Sequence, residues 1–468
     1  MKNRLLYFIF SIFMSLLFLF SCADSEMGNV GLASESVGNS GESEGTAEPS
    51  THTTSNDPAQ TPAQTETPAE IVTTAKVKEK VPTIRITTVG SAPITSKEDY
   101  IKATVSLEDS GQDFENYSAK IRGRGNSTWL YFDKKPYRLK FNTAVDLFGM
   151  GESKDYVLLS NAMDMSMLNN YAAFTLGDIF GMEYNCQCEF VNVFINGTYE
   201  GLYLLTEQIE VGKNRVDIGG KNSTEVDTSY LVEFGGGVSS DEVYKFNVGA
   251  VVVGNKVYQW RDYFFGAVKS PDVVSKAQLN FISNYVNEVN DAIYRKDFER
   301  FCQLCDLDSF VSNVLVNEIS LASDFDYCFY MYKKAGGKLY LGPIWDFDQG
   351  FGISTKNGNT FEGLTVSKYT CWVTALLEMP EFYEAAREKW IEHYDEIHSL
   401  PDHLMDKSAE IRKDINRNFL RHDVLGKPYW RQTPEMAEFV TYNEFRNRLV
   451  YWLEDRIAWL DGYFKAED

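Results

Sequence analysis

Two acidic runs, Asp324-Phe325-Asp326 and Trp345-Asp346-Phe347-Asp348, stand on either side of a glycine turn, and they restrict what this chain can fold into. Tyr327 to Lys333 is aromatic-rich and strand-like, Ala335-Gly336-Gly337 signals a turn, and Lys338 to Trp345 reads as the return strand. With the turn centred on the glycines, Asp326 falls opposite Phe347, between Asp346 and Asp348. Residues two apart in a strand share a face, so these two acids point the same way. Three or four carboxylates then converge at one end of a hairpin, where like charges repel. A fold holds such a cluster if a cation neutralises it or if one group stays protonated for acid-base work. Turn caps and surface ion pairs are the plainer alternative. Trp345 and Phe347, however, flank the acids with bulk that belongs in a half-buried segment.

The N-terminus reads as an export signal. Lys2 and Arg4 precede an apolar run from Leu5 to Phe20, too short for a comfortable membrane span, and Leu19-Phe20-Ser21-Cys22 resembles a bacterial lipobox. An exported, lipid-anchored chain facing outside or into a periplasm is the expectation for residues 1–22; an ordinary cleaved signal is the alternative. Residues 23–75 hold no aromatic residue, no Lys and no Arg, and are dominated by Ser, Thr, Glu, Pro, Ala and Gly. Such a segment buries too little apolar surface to offset its ordering entropy, which predicts a disordered tether. Nine of its residues are acidic, so a large share of the net charge of −22 belongs to this tail, and nucleic acid is excluded as a partner on that balance.

From Lys76 onward the expected class is α+β. Strands are predicted over Thr83–Val89, Ile101–Leu107, Tyr117–Arg124 and Tyr137–Phe141, and a helix over Met165–Phe180 with Asp164 as cap. Asn196-Gly197 between Phe190–Ile195 and Thr198–Leu205 suits a type I′ hairpin. Lys276–Tyr294, Leu307–Ser320 and most of Glu381–Lys465 carry helical patterning. These features divide the chain into a β-rich lobe over 76–210 and a mainly α-helical lobe over 211–468. Cys186/Cys188 and Cys302/Cys305 read as buried thiols or a disulfide, and none of the five histidines lies near the aspartates, which argues against zinc or a His-based hydrolase there.

Lys120, Arg122 and Arg124 alternate on one face of a strand, and Arg138 and Lys140 on the next. Gly123 and Gly125 let a backbone approach a ligand, and Asn126, Ser127 and Thr128 offer short donors. A phosphate would satisfy this group; a solvated basic face is the alternative. Hard carboxylate oxygens suit Mg²⁺ together with substrate phosphate oxygens. A basic glycine-containing sheet in one lobe and an acidic cluster in the other therefore complement a Mg²⁺–nucleoside triphosphate, which is the logic of phosphoryl transfer. The order of parts follows that of bilobal protein kinases, with Leu204 to Gln208 as the hinge and Glu207 there as a cofactor contact. His-Arg-Asp is absent, however, and Asp346-Phe347-Asp348 stands where Asp-Phe-Gly would be.

Five runs, in order, resemble the CotH family: Ile121 to Trp129 (IRGRGNSTW), Lys134 to Phe141 (KKPYRLKF), Tyr156 to Asn161 (YVLLSN), Gly201 to Glu210 (GLYLLTEQIE) and Gly342 to Asp348 (GPIWDFD). The resemblance implies a bilobal atypical protein-kinase-like fold, secreted or surface-held, that uses ATP and Mg²⁺ or Mn²⁺ to phosphorylate Ser or Thr of a protein substrate. It implies Asp346 as the metal aspartate, with Asp348 as a second ligand, Asp326 or Asp324 as the catalytic base, and Lys140 with Arg122 and Arg124 on phosphate. Leu168-Asn169-Asn170 departs from the Leu-Arg-Asn of relatives. A surface structural or adhesive protein on the same fold is the competing reading. Glycoside hydrolysis by paired acids ranks last, because it leaves the basic strands without a role.

Overall fold

Between Thr83 and Glu207 seven strands turn one set of apolar side chains inward and close a barrel. The computed structural model describes residues 80–235, 242–260, 265–322, 324–325, 328–355, 360–364 and 372–465. The expected export signal and tether, and Asp326, lie outside the described residues. The barrel elements are β1 (Thr83–Thr88), β2 (Ile101–Glu108), β3 (Phe114–Gly123), the short helix α1 (Ser127–Tyr131), β4 (Tyr137–Val145), β5 (Ser153–Leu159), α2 (Asn169–Ile179), β6 (Cys188–Ile195) and β7 (Thr198–Glu207). Strand order is β1-β2-β3-β4-β5-β7-β6, closed where β1 runs parallel to β6 with Thr83 opposite Asn192. Ile84, Ile86, Val105, Ile121, Leu139, Tyr156, Val193, Tyr203 and Leu205 fill the interior. The expected hairpin is present: Asn196 and Gly197 take φ of 50° and 80°, as a type I′ turn requires.

A second core begins on the outside of the same wall. Leu202 and Leu204 belong to it while Tyr203 and Leu205 face the barrel interior, so β7 is buried on both faces. That double burial explains the unbroken apolar run in Gly201 to Leu205. Helix α2, counted with the first lobe on sequence, also packs into the second core through Ala172, Phe174 and Leu176. The helix begins later than expected, at Asn169, and Asp164 accepts from the Asn169 N–H at 2.8 Å from outside it.

The rest of that core is built from β8 (Tyr230–Gly235), β9 (Lys245–Asn247), the small hairpin β10 (Val251–Val253) and β11 (Lys256–Tyr258), β12 (Phe265–Ser270), α3 (Lys276–Arg295), α4 (Phe298–Leu304), α5 (Leu307–Ser320), β13 (Phe329–Lys333), β14 (Leu339–Leu341), α6 (Trp372–Leu377), α7 (Pro380–Glu392), α8 (Tyr394–Glu410), α9 (Arg412–Arg421) and α10 (Tyr442–Phe464). Five strands form one sheet in the order β14-β13-β8-β12-β9. Helices α3 and α10 each start with a capping box, Ser275 with Gln278 and Thr441 with Glu444, which satisfies backbone donors that a helix start leaves open. Helix α5 is buried along almost its whole length, and its Glu318 meets Arg456 of α10 at 3.0 Å in the interior. Among the described residues no helix is long and apolar enough to cross a membrane. Cys186, Cys188, Cys302, Cys305 and Cys328 are free thiols.

The hairpin carrying the acids is shorter than expected. Strand β13 pairs with β14 only from Met331–Leu341 to Lys333–Leu339, one residue off the anticipated register. The chain leaves the ladder at Gly342, so Trp345 to Asp348 is not strand. Asp346 takes φ of 71°, which side-chain-bearing residues seldom adopt, and strand alternation therefore does not set the directions of Asp346 and Asp348.

Candidate functional site: an acidic and basic cleft

Where the barrel meets the second core a cleft of about 980 Å³ opens. From the barrel come Arg122, Arg124, Gly125, Asn126, Ser127, Thr128 and Arg138; from the second core come Asp324, Cys328, Trp345, Asp346 and Asp348. The strand-to-helix turn that presents the first group rests on Gly125, whose φ of 79° suits glycine. Gly123 packs so tightly on Trp129 that a Cβ there would stand 2.2 Å from its ring.

Arg124 is the link between the two groups. Its guanidinium lies 5.3 Å from the centre of the Trp345 ring, and it interacts electrostatically with Asp346 and Asp348. Burial lowers its own pKa, and these acids oppose the shift. Burial and then the neighbouring Asp324 push the Asp346 carboxyl up to about 6, with Arg124 pulling the other way. Asp346 is open to the cleft, so water offsets part of that burial cost. Asp348, half-buried, is raised by burial first and then by Asp346 and Asp324. Two mutually repelling carboxyls with elevated pKa values beside one arginine make a site short of positive charge. Gln349 donates to Asp324, and its oxygen accepts from Arg431 at 3.2 Å. Because Arg431 can only donate, the Gln349 amide is turned with its NH₂ toward the acid.

Of the residues singled out on sequence, Arg122, Arg124, Asn126, Ser127, Asp324, Asp346 and Asp348 share this cleft. Lys140 and Glu207 are not among its lining residues. Lys140 is held at 2.7 Å by Asp155, which also binds Arg138 at 2.9 Å. The repulsion between facing basic side chains on β3 and β4 is thus relieved by a carboxylate from β5 that the sequence reading passed over. Glu207 forms a buried pair with Arg215 at 2.7 Å and lines a separate cavity with Tyr184 and Gln187. Arg122 is occupied at the cleft edge, donating to the carbonyls of Lys97 and, at 3.2 Å, Gly123.

Hard carboxylate oxygens are the right donors for Mg²⁺ or Mn²⁺, but among the described residues no three His, Cys, Asp or Glu side chains form a ready metal cage. A preformed cage is what Ca²⁺ needs; Mg²⁺ typically takes one or two carboxylates and completes its shell with water and substrate phosphate. Asp346 and Asp348 fit that second pattern.

Several residues that shape this site carry no obvious signature, among them Asn161, Asn170, Gln349, Trp430 and Arg431. Asn161 and Asn170 lie in or beside runs already noted, but a buried asparagine cannot be told from an exposed one by pattern alone. No curated protein matches the chain. Over residues 121–460 the sequence matches the family model described as CotH kinase protein, and the chain belongs to that kinase-like family.

Proposed function

We propose that this chain is an extracytoplasmic atypical protein kinase of bilobal fold that transfers the γ-phosphate of ATP to Ser or Thr of a protein substrate. The barrel would be its first lobe and the second core its other. The observation that carries this reading is Arg124, which belongs to the turn around Gly125 and yet lies over Trp345 within electrostatic reach of Asp346 and Asp348. A polyphosphate and its cation between those groups would neutralise both sides. The cleft volume also falls in the range that holds a nucleotide.

In this reading Arg122 and Arg124 bind phosphate oxygens, and Asn126 and Ser127 donate to them. Asp346 and Asp348 would hold Mg²⁺ or Mn²⁺, which when bound offsets the charge on the transferred group. Asp324, or Asp326, accepts the proton of the acceptor hydroxyl. That oxygen forms the new bond to the γ-phosphorus, the β–γ bridging P–O bond breaks, and ADP leaves with its electrons. An export signal with a lipidated Cys22 would tether the enzyme outside the cytoplasmic membrane.

The test is incubation of the purified chain with ATP, Mg²⁺ or Mn²⁺ and a Ser/Thr-rich acceptor such as casein, beside an Asp346→Asn control. Metal-dependent phosphate incorporation that the control lacks supports the proposal. Equal incorporation by both proteins, with no stabilisation by nucleotide, would instead favour a non-catalytic surface protein.

A further inference from the structure

The segment from Asp346 to Gly350 leaves the sheet without a strand partner, and an adjacent pair of asparagines holds it. Asn170, in the first turn of α2, accepts from the Phe347 N–H at 3.0 Å through Oδ1. Its Nδ2 donates to Asn161 Oδ1 at 3.2 Å, and Asn161 Nδ2 donates to the Met167 carbonyl at 3.0 Å. Asn169 reaches the other end, donating from Nδ2 to the Gly350 carbonyl at 3.2 Å. Asp348 lies between the two anchored positions and Asp346 immediately before them. All three asparagines are at least nine-tenths buried, and Asn161 and Asn170 also line the cleft.

We infer that Asn169 and Asn170 form a clamp that sets the separation and direction of Asp346 and Asp348 for a divalent cation, with Asn170 as a positioning residue. The inference rests on the kinase reading above. An amide suits this place because it is neutral: it accepts from a backbone N–H without adding a further charge to carboxylates that already repel one another. The chain of amides back to the Met167 carbonyl also fixes which end of Asn170 faces Phe347. Asp346, held in a left-handed conformation, has no helix or strand hydrogen bonds of its own to define it. Outer partners of metal-binding carboxylates commonly change metal affinity by about 10–100-fold when removed.

The experiment measures thermal stabilisation of the purified full chain by MnCl₂ at fixed ATP, which needs no acceptor and no turnover. Wild type and Asn170→Ala are compared at equal folded fraction by circular dichroism. The expected result is a rise of about tenfold or more in the half-saturating Mn²⁺ concentration for Asn170→Ala. Asn170→Asp, which keeps an oxygen facing Phe347 but adds a charge and loses the donor to Asn161, is expected to recover only part of that loss. An unchanged Mn²⁺ dependence in Asn170→Ala, with wild type responding normally, overturns the clamp and leaves the kinase reading standing. Absence of any Mn²⁺–ATP response in wild type overturns both. If Asn170→Ala does not fold, Asn161→Ala removes the amide behind it; a rise of about threefold supports the clamp, and no rise counts against it.

Discussion

Asp155 on β5 holds Lys140 on β4 at 2.7 Å and takes Arg138 with its other oxygen, so a single buried carboxylate pairs with two basic residues on the outer wall of the barrel. Asp155→Asn would leave those cations facing each other with weaker acceptors. A loss of about 1–3 kcal/mol in chemical denaturation is expected, limited because both basic side chains can reach water. Lys140→Met removes only one of the two cations and should cost less. Loss of nucleotide binding in Lys140→Met as severe as in Arg124→Ala would return Lys140 to the phosphate-binding set.

Arg124→Ala should weaken ATP binding by roughly 10–100-fold, the size of one or two charge-assisted hydrogen bonds. Arg124 lowers the pKa of Asp346 and of Asp348, so its removal should also shift both carboxyls further up. Arg124→Lys should recover only part of the binding, since an ammonium lacks the planar fork and packs less well on Trp345. Titration calorimetry with ATP and Mn²⁺ gives both numbers; full recovery with lysine would reduce the role of Arg124 to that of a point charge.

Asp346 has a folded pKa of about 6 against an ordinary 3.8. Between those values the folded state binds more protons than the unfolded state, so the contribution of this group to stability falls as pH rises through that window. Above about pH 6 the ionised carboxyl is repelled by the neighbouring Asp324, and Arg124 offsets that only in part. Melting temperature measured from pH 4 to 7 should therefore decline less steeply in Asp346→Asn than in wild type. Mn²⁺ with ATP should restore wild type preferentially at the upper end, and chelation should remove that gain. Parallel profiles for the two proteins would argue against Asp346 as the titrating group.

Glu318 and Arg456 meet at 3.0 Å with almost no access to water, and Arg456 also donates to the carbonyls of Phe361 and Gly363. Arg456→Met strands the carboxylate and should cost about 3–5 kcal/mol. Adding Glu318→Gln should return part of that loss, because the stranded charge is then gone. Urea denaturation of the two variants decides it: no recovery in the double variant would place the cost in the lost carbonyl contacts.

Local chemistry made much of the fold legible. Asn196-Gly197 specifies its turn because both positions need positive φ; the capping boxes at Ser275 and Thr441, which follow an equally local rule, went unread. The acidic runs and the basic turn around Gly125 were likewise visible as opposite charges, and the structure brings them into one cleft. The misreadings arose where a short-range rule was extended too far. Strand alternation was continued through Gly342 to Trp345, and Asp155, which meets Lys140 from a third strand, was not anticipated.

Side-chain type and spacing thus settle which segments pair locally and which charges need a counterion, since those depend on neighbours a few residues away. Barrel closure of β1 on β6, the choice of Asp155 as partner for Lys140 and the left-handed turn at Asp346 depend on groups from 15 to more than a hundred residues apart. Their relative energies come from packing and desolvation after the chain has collapsed, so only the assembled molecule reveals that Arg124, rather than Lys140, faces the aspartates.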